Sequence, residues 1–449
     1  MAQQPATERG TWNSKLGFIL AAAGSAVGLG NIWRFPTEAA ANGGAAFLLI
    51  YLICVLLIGF PVMLAELSIG RSSQKNPVGA FKALSKNRFF PLVGFWGVLC
   101  GAMVLSFYAV IAGWTFSHVF VEFFTFSGMS DTAALLSDVS NGYVNSFFAI
   151  MFMGCTILIL MGGVSDGIER ATKLMMPMLV IILLIMTGYA LFQPGAGEGL
   201  RVYLQPDFSK INGALILAAM GQAFFSLSLG MGALITYGSY LSKKENIPEA
   251  AAYVTFSDVG IAFLAGLLVI PTMYIAQAQG MEIFGPDGEL LAGTALIFQL
   301  LPELFSQMGG LLGLVFGISF FLLLSIAALT SSISLLEVPV SYVIDEFDVR
   351  RKKAVLSIGG GILIISIIIS FNIALIVHID FIFSVIGLPL GGLLICIFVA
   401  YVWKTENAIN ELKEGYATFK SSILSKIWPF FIKIVCPIII LMILIYSVM

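Results

Sequence analysis

The chain has 449 residues, of which 59% are hydrophobic and 11% charged, with a formal net charge of -2; soluble domains carry about 25% charged residues. A water-soluble core is therefore excluded, and most of the chain must be solvated by lipid. The net charge itself points to no partner, and no nucleic acid is expected. Cys54, Cys100, Cys155, Cys396 and Cys436 lie scattered in apolar runs without metal-type spacing, so each reads as a small buried hydrophobe.

In chain order, a polar tail at 1–14 precedes eleven apolar stretches, each near the roughly 20 residues that cross a bilayer as a helix. They fall near 15–38, 45–70, 90–124, 142–161, 168–191, 211–240, 250–277, 309–345, 353–371, 376–403 and 424–448. The expected fold is an all-α polytopic membrane protein. Apart from Arg34 and Lys433 within spans, the tail and every second loop carry the lysines and arginines, while the alternate loops hold only Arg201 and Lys210. Positive charge stays on the cytoplasmic side, so the N-terminus is expected in the cytoplasm of a cell membrane and, after eleven crossings, the C-terminus outside. Arg9 and Lys15 before an apolar run that ends in small residues also resemble a secretory leader. The polar segment that follows would make a strange mature terminus, so a retained span is expected.

Two spans are interrupted. In span 1, Gly24-Ser-Ala-Val-Gly-Leu-Gly30 is followed by Asn31 and Arg34. Each glycine weakens a helix by about 1 kcal/mol against alanine, and glycines alone would fit close helix packing. The guanidinium changes that reading, because ionisable groups inside a membrane are expensive and mark sites. Unwound backbone is tolerated there only along a cavity or within protein. Span 6 repeats the pattern with Ser226-Leu-Ser-Leu-Gly-Met-Gly232, and paired interruptions at matching places of two halves point to a transporter site at the bilayer midplane. Residues 15–191 and 211–403 therefore read as an inverted repeat, with 424–448 as an added span.

Broken helix ends offer free N–H groups, with about half a positive charge, to a carboxylate, and freed carbonyls to a cation. Sodium takes hard oxygen ligands. In span 8, Thr330 and Ser331 are the hydroxyls of interest, although such groups often bond only their own preceding turn. No span carries the polar stripe or filter loop of a channel. His118 and His378 lie near outer span ends, remote from Ser331, and read as interfacial rather than as the base of a hydrolase. A sensor that binds without transporting would keep every site residue.

The run Gly24-Ser-Ala-Val-Gly-Leu-Gly-Asn-Ile-Trp-Arg-Phe-Pro36 closely resembles the signature of the neurotransmitter:sodium symporter family. It is joined, in order, by Asn42-Gly43-Gly44, Gly59-Phe-Pro61 with Glu66 and Gly70-Arg71, Gly167-Ile-Glu-Arg170, Gly221-Gln-Ala-Phe-Phe-Ser-Leu-Ser-Leu-Gly230 and Leu329-Thr-Ser-Ser332. The resemblance implies a LeuT-type fold, a 5+5 inverted repeat with broken first and sixth helices, and symport driven by sodium rather than enzymatic chemistry. It implies a first sodium held by the Ala26 carbonyl, the Asn31 amide oxygen, Ser226 and Asp258, with the substrate carboxylate completing the shell. A second sodium would lie among the carbonyls of Gly24, Val27 and Ala327 and the hydroxyls of Thr330 and Ser331. The Leu29 and Gly30 N–H groups and the Tyr108 hydroxyl would hold the carboxylate. Val104, Tyr108, Phe225, Ser228, Met231, Ser331 and Leu335 would surround the side chain, beside Ala26, Ser226 and Gly230. Arg34 and Asp380, with Gln222 nearby, resemble an outer gate that closes by a charge pair; Arg9, Trp12, Tyr240 and Asp345 resemble an inner latch. Gly167 and Pro177 have the family's spacing for local unwinding that lets water reach the second sodium.

The chain also departs from the family. Eleven spans are read where twelve are usual. Asp258 and Ala262 stand where chloride-dependent members carry Asn and a chloride-binding Ser, although Tyr51 and Gln222 remain. A fixed carboxylate near the first sodium can supply the charge that chloride supplies elsewhere, so no chloride requirement is expected. Gly28 stands where monoamine carriers place Asp, which implies an α-amino acid substrate. Met231 between Gly230 and Gly232 favours a large hydrophobic or aromatic side chain.

Overall fold

The computed structural model describes residues 10–283, 293–416 and 419–448. Among these, nine helices are long and apolar enough to cross a membrane, and the bent pair Lys15–Ala26 and Gly30–Ala41 makes a tenth crossing, span 1. Gly213–Ser226 and Ala233–Gly238 form span 6, which completes the eleven read from the sequence. Spans 2 to 5 are Ala45–Ser73, Phe90–Phe126, Gly142–Met161 and Val164–Leu191. Spans 7 to 11 are Ile247–Ala278, Gly310–Phe347, Arg351–Phe371, Ala374–Val402 and Ile423–Ser447. No strand occurs among the described residues. Hydropathy did not reveal the short connecting helices Pro77–Leu84, Ser130–Ser137, Ala196–Leu204, Leu301–Met308 and Thr405–Lys413, because each is too short to span a bilayer.

Spans 3 and 8 have 37 and 38 residues, about 55 Å at 1.5 Å per residue, and therefore overshoot a hydrocarbon core of about 30 Å. They pack along one another at the centre of the molecule. Lipid gives helices no hydrophobic reason to associate, so hydrogen bonds between spans contribute to holding the centre together. The Thr115 hydroxyl lies 3.2 Å from Ser325, Thr156 lies 2.8 Å from Ser332, and Trp114 Nε1 donates to Asn145 at 2.9 Å. Leu158, Ile181, Ile364 and Ile445 point outward from spans 4, 5, 9 and 11, where acyl chains would surround them.

Both interruptions are real breaks. The first half of span 1 stops at Ala26, Val27 is extended at φ -76° and ψ 108°, and the second half leaves at 54°. In span 6, six residues separate Ser226 from Ala233, with Ser228, Gly230 and Gly232 at positive φ. Gly230 needs its missing side chain twice. Its φ is +83°, and a Cβ would stand 2.0 Å from the Leu388 carbonyl oxygen of span 10. Its N–H, freed from the helix, donates to Glu66 Oε1 of span 2 at 2.7 Å, which satisfies a group that lipid could not.

Three expectations are corrected. Cys155 is exposed on span 4 rather than buried. His118 is not interfacial: it is buried beneath Phe298 and Phe321, with Nδ1 2.8 Å from the Trp114 carbonyl. Span 5 does not unwind between Gly167 and Pro177; it opens with a wide turn at Val164–Glu169 and stays helical through Pro177.

Candidate functional site

Asn31 is the node where the two breaks meet. Fully buried, it donates through Nδ2 to Asp258 Oδ1 at 2.7 Å, to the Asp258 carbonyl at 3.1 Å and to Ser226 Oγ at 3.2 Å. Its Oδ1 accepts the Gly28 N–H at 3.1 Å, so one side chain joins span 1, span 6 and span 7. Asp258 is also fully buried, and Ser226 Oγ stands 2.9 Å from both of its carboxylate oxygens. Tyr51 of span 2 donates to Asp258 Oδ2 at 3.3 Å. Three side chains therefore converge on one carboxylate with no lysine or arginine among them, an arrangement that leaves its charge to a cation.

A second oxygen cluster lies across the break, where span 8 faces span 1. Thr330 Oγ1 is 3.3 Å from the Val27 carbonyl and 2.9 Å from that of Ala327. Ser331 Oγ lies 3.4 Å from the Gly24 carbonyl and 3.2 Å from that of Val27. All five expected members of the second sodium set are thus within one hydrogen-bonded cluster. Hydroxyl and carbonyl oxygens suit a hard alkali cation. No group of three His, Cys, Asp or Glu side chains suited to a transition metal occurs among the described residues.

Between the clusters a narrow cavity is lined by Ala26, Leu29, Gly30, Val104, Tyr108, Phe225, Ser226, Ser228, Met231, Ser331 and Leu335. Every expected pocket residue except Gly230 is there; Gly230 instead faces Glu66 and span 10, as the backbone contacts above require. The Leu29 N–H donates to the Tyr108 oxygen at 3.3 Å, which sets a backbone donor at the helix break beside a phenol. Ser25 and Gly28 also line the wall. A Cβ on Gly28 would lie 2.4 Å from Ser331 Oγ and 3.1 Å from the Tyr108 oxygen, so the chain has no room for a side chain there.

Phe225, with Leu29, Gly30 and Tyr108, lies between this cavity and an outer chamber lined by Trp33, Arg34, Thr37, Glu38, Phe107 and Asp380. The expected pair of Arg34 with Asp380 is not made, although both face that chamber. Arg34 Nε is 3.9 Å from Glu38, one turn along the same helix, and its guanidinium stands 4.6 Å above the Phe225 ring, so nearer partners take it. Gln222 Nε2 donates to the Gly30 carbonyl at 3.0 Å.

On the face that carries the N-terminal tail, Trp12 Nε1 donates to the Tyr237 carbonyl at 3.1 Å and its ring packs edge-on against Tyr240. Tyr240 donates to Glu337 at 2.6 Å, and Arg351 grips Glu337 with both terminal nitrogens at 2.6 and 3.0 Å while bonding the Leu160 carbonyl. Asp345 accepts from the Asn76 backbone at 2.8 Å. Arg9 lies outside the described residues. Glu337 and Arg351 escaped the sequence reading, although an acidic residue in the middle of an apolar span is itself a signal. The tail is tied further by Asn13 N–H and Ser14 Oγ to Glu169, at 2.7 and 2.8 Å, and by Lys15 to Glu249 at 2.7 Å.

A family model described as the sodium:neurotransmitter symporter family matches residues 9–129 and 135–449. The chain belongs to that family. Like other members it is a membrane-embedded, sodium-coupled transporter. It is 34% identical to the uncharacterized sodium-dependent transporter YhdH of Bacillus subtilis, over 96% of both chains. It is 35% identical to an uncharacterized sodium-dependent transporter of Haemophilus influenzae over 98% of both. Among solved structures, MhsT in complex with L-phenylalanine superposes with a TM-score of 0.85 at 40% identity, covering 98% of this chain and 100% of MhsT. The symporter therefore has the LeuT fold, with the broken first and sixth spans described above.

Proposed function

We propose that this symporter carries an α-amino acid with a large hydrophobic or aromatic side chain into the cell together with sodium, without chloride. The carrying observation is the Leu29 N–H beside the Tyr108 hydroxyl, 3.3 Å apart, at the broken end of a helix whose next residues lead to Asn31 and Asp258. A carboxylate placed there would meet two donors on one side and a bound cation on the other, so ion and substrate would complete each other's shells. Sodium would also occupy the span 8 cluster. The N-terminus would face the cytoplasm, and residues 15–191 and 211–403 would be the two inverted halves. The neighbouring solved structure holds L-phenylalanine, and apolar walls with a flexible Met231 suit such a side chain here. Uptake of labelled L-phenylalanine into proteoliposomes under an inward sodium gradient tests the reading, with accumulation expected. Sodium-dependent binding without accumulation would instead indicate a sensor.

Chloride independence follows from Asp258. Tyr51 and Ser226 already point hydroxyls at its carboxylate, so the negative charge next to the first cation is built into the chain. Replacing chloride by gluconate should leave uptake within experimental error; a large loss would defeat this part of the proposal. Gly28 gives a steric test. Overpacking costs about 1–3 kcal/mol, so Gly28→Ala, crowded by Ser331 and Tyr108, should weaken amino-acid binding by about ten-fold in an equilibrium binding assay.

A further inference from the structure

Ser331 Oγ is within reach of three carbonyl oxygens, those of Gly24 at 3.4 Å, Ser25 at 3.3 Å and Val27 at 3.2 Å. A hydroxyl that turns a lone pair to a cation must send its hydrogen elsewhere. The Gly24 and Val27 carbonyls would be ligands of the same ion, and a hydrogen directed at them would point toward the positive charge. Of the three carbonyls that of Ser25 remains, with the Tyr108 oxygen the other acceptor beside Ser331. The Ser25 carbonyl already accepts the Ser228 hydroxyl at 3.0 Å, and Ser228 sits in the break of span 6 at φ +54°, on the wall of the amino-acid cavity.

The Ser25 side chain holds this carbonyl in place. Its Oγ donates to Ser334 Oγ of span 8 at 2.7 Å, and Ser334 donates on to the Ser331 carbonyl at 2.9 Å. Ser25, Ser334 and Ser228 are all nine-tenths buried or line the cavity, so water does not substitute freely for these bonds. Broken spans 1 and 6 and the cation-facing turn of span 8 thus share one acceptor.

We propose that the Ser25 carbonyl couples the second cation cluster to the substrate cavity, and that Ser25 and Ser334 are positioning residues for coupled binding. This rests on the function proposed above. When the cation arrives, the Ser331 hydrogen locks onto Ser25; the fixed carbonyl then sets Ser228, and with it the wall that the substrate meets. By reciprocity the substrate tightens the ion by the same factor.

The test uses the purified full-length chain and L-phenylalanine as probe, with Kd measured at low and at saturating sodium, choline replacing the ion. The readout is the ratio of the two Kd values. Ser25→Ala and Ser334→Ala should each shrink that ratio by roughly five-fold, the scale of one buried hydrogen bond, and the double variant should shrink it little further because both act through one bond. Ser332→Ala is the control: it also loses a buried bond, to Thr156 at 2.8 Å, but lies off the relay and should keep the wild-type ratio. An unchanged ratio in both Ser25→Ala and Ser334→Ala, or an equal loss in Ser332→Ala, overturns the relay. A wild-type chain whose amino-acid binding ignores sodium would overturn the functional reading itself and the relay with it.

Discussion

Asn31→Ala should weaken sodium and amino-acid binding together, each by about 100-fold, while leaving the protein folded enough to purify. The substitution strands several fully buried partners at once: Asp258, Ser226 and the Gly28 N–H all lose the amide. A buried polar group left without its partner costs about 1–3 kcal/mol, and two such groups in the lower half of that range, about 1.4 kcal/mol each, reach about a factor of 100 at roughly 1.4 kcal/mol per decade. Because the same side chain braces both broken spans, the loss should fall on ion and substrate alike. Equilibrium titration of each ligand checks it. A defect confined to the substrate would remove Asn31 from the shared shell.

The second large effect is expected at the face that carries the N-terminal tail, on stability. Glu337 is fully buried and Arg351 nearly so, and the bidentate contact at 2.6 and 3.0 Å ties span 8 to span 9. Arg351→Met would leave the Glu337 carboxylate with Tyr240 as its remaining partner here, and breaking one half of a buried pair costs about 3–5 kcal/mol. The midpoint of thermal unfolding in detergent should fall sharply. Glu337→Met on top of Arg351→Met should recover much of the loss, since two apolar side chains leave no charge uncompensated. A double variant as unstable as the single one would show that the Arg351 bond to the Leu160 carbonyl, rather than the ion pair, is what holds this corner.

Much of this architecture was legible in the order of residues, for a physical reason. A membrane span must be about 20 residues of low polarity, so nine unbroken crossings announce themselves, and the paired glycine-rich interruptions mark span 1 and span 6. The two oxygen clusters were legible because span 1 places Asn31 and its bare carbonyls within a few residues of one another. Contacts between distant segments were not. Nothing local to Ser25 shows that Ser334, far along the chain, will take its hydroxyl. Likewise the charge of Arg34 fits Asp380 on paper, but Glu38 and the Phe225 face are closer in space. Glu337 stands out as an acid in an apolar span, but its partner, Arg351, reads in sequence as an ordinary loop cation.

Phe225 borders the inner cavity and the outer chamber alike. Leu29, Gly30 and Tyr108 share that wall, and rotation of the half-buried Phe225 ring would reshape it on the fast timescale of side-chain motion, whereas collective helix motions need microseconds or longer. At the opposite end, among the described residues, Trp12 and Tyr240 are fastened to packed helices and to a buried ion pair. Entry and exit would therefore run on different clocks, with solutes sampling the binding chamber many times before the molecule commits to a slow rearrangement.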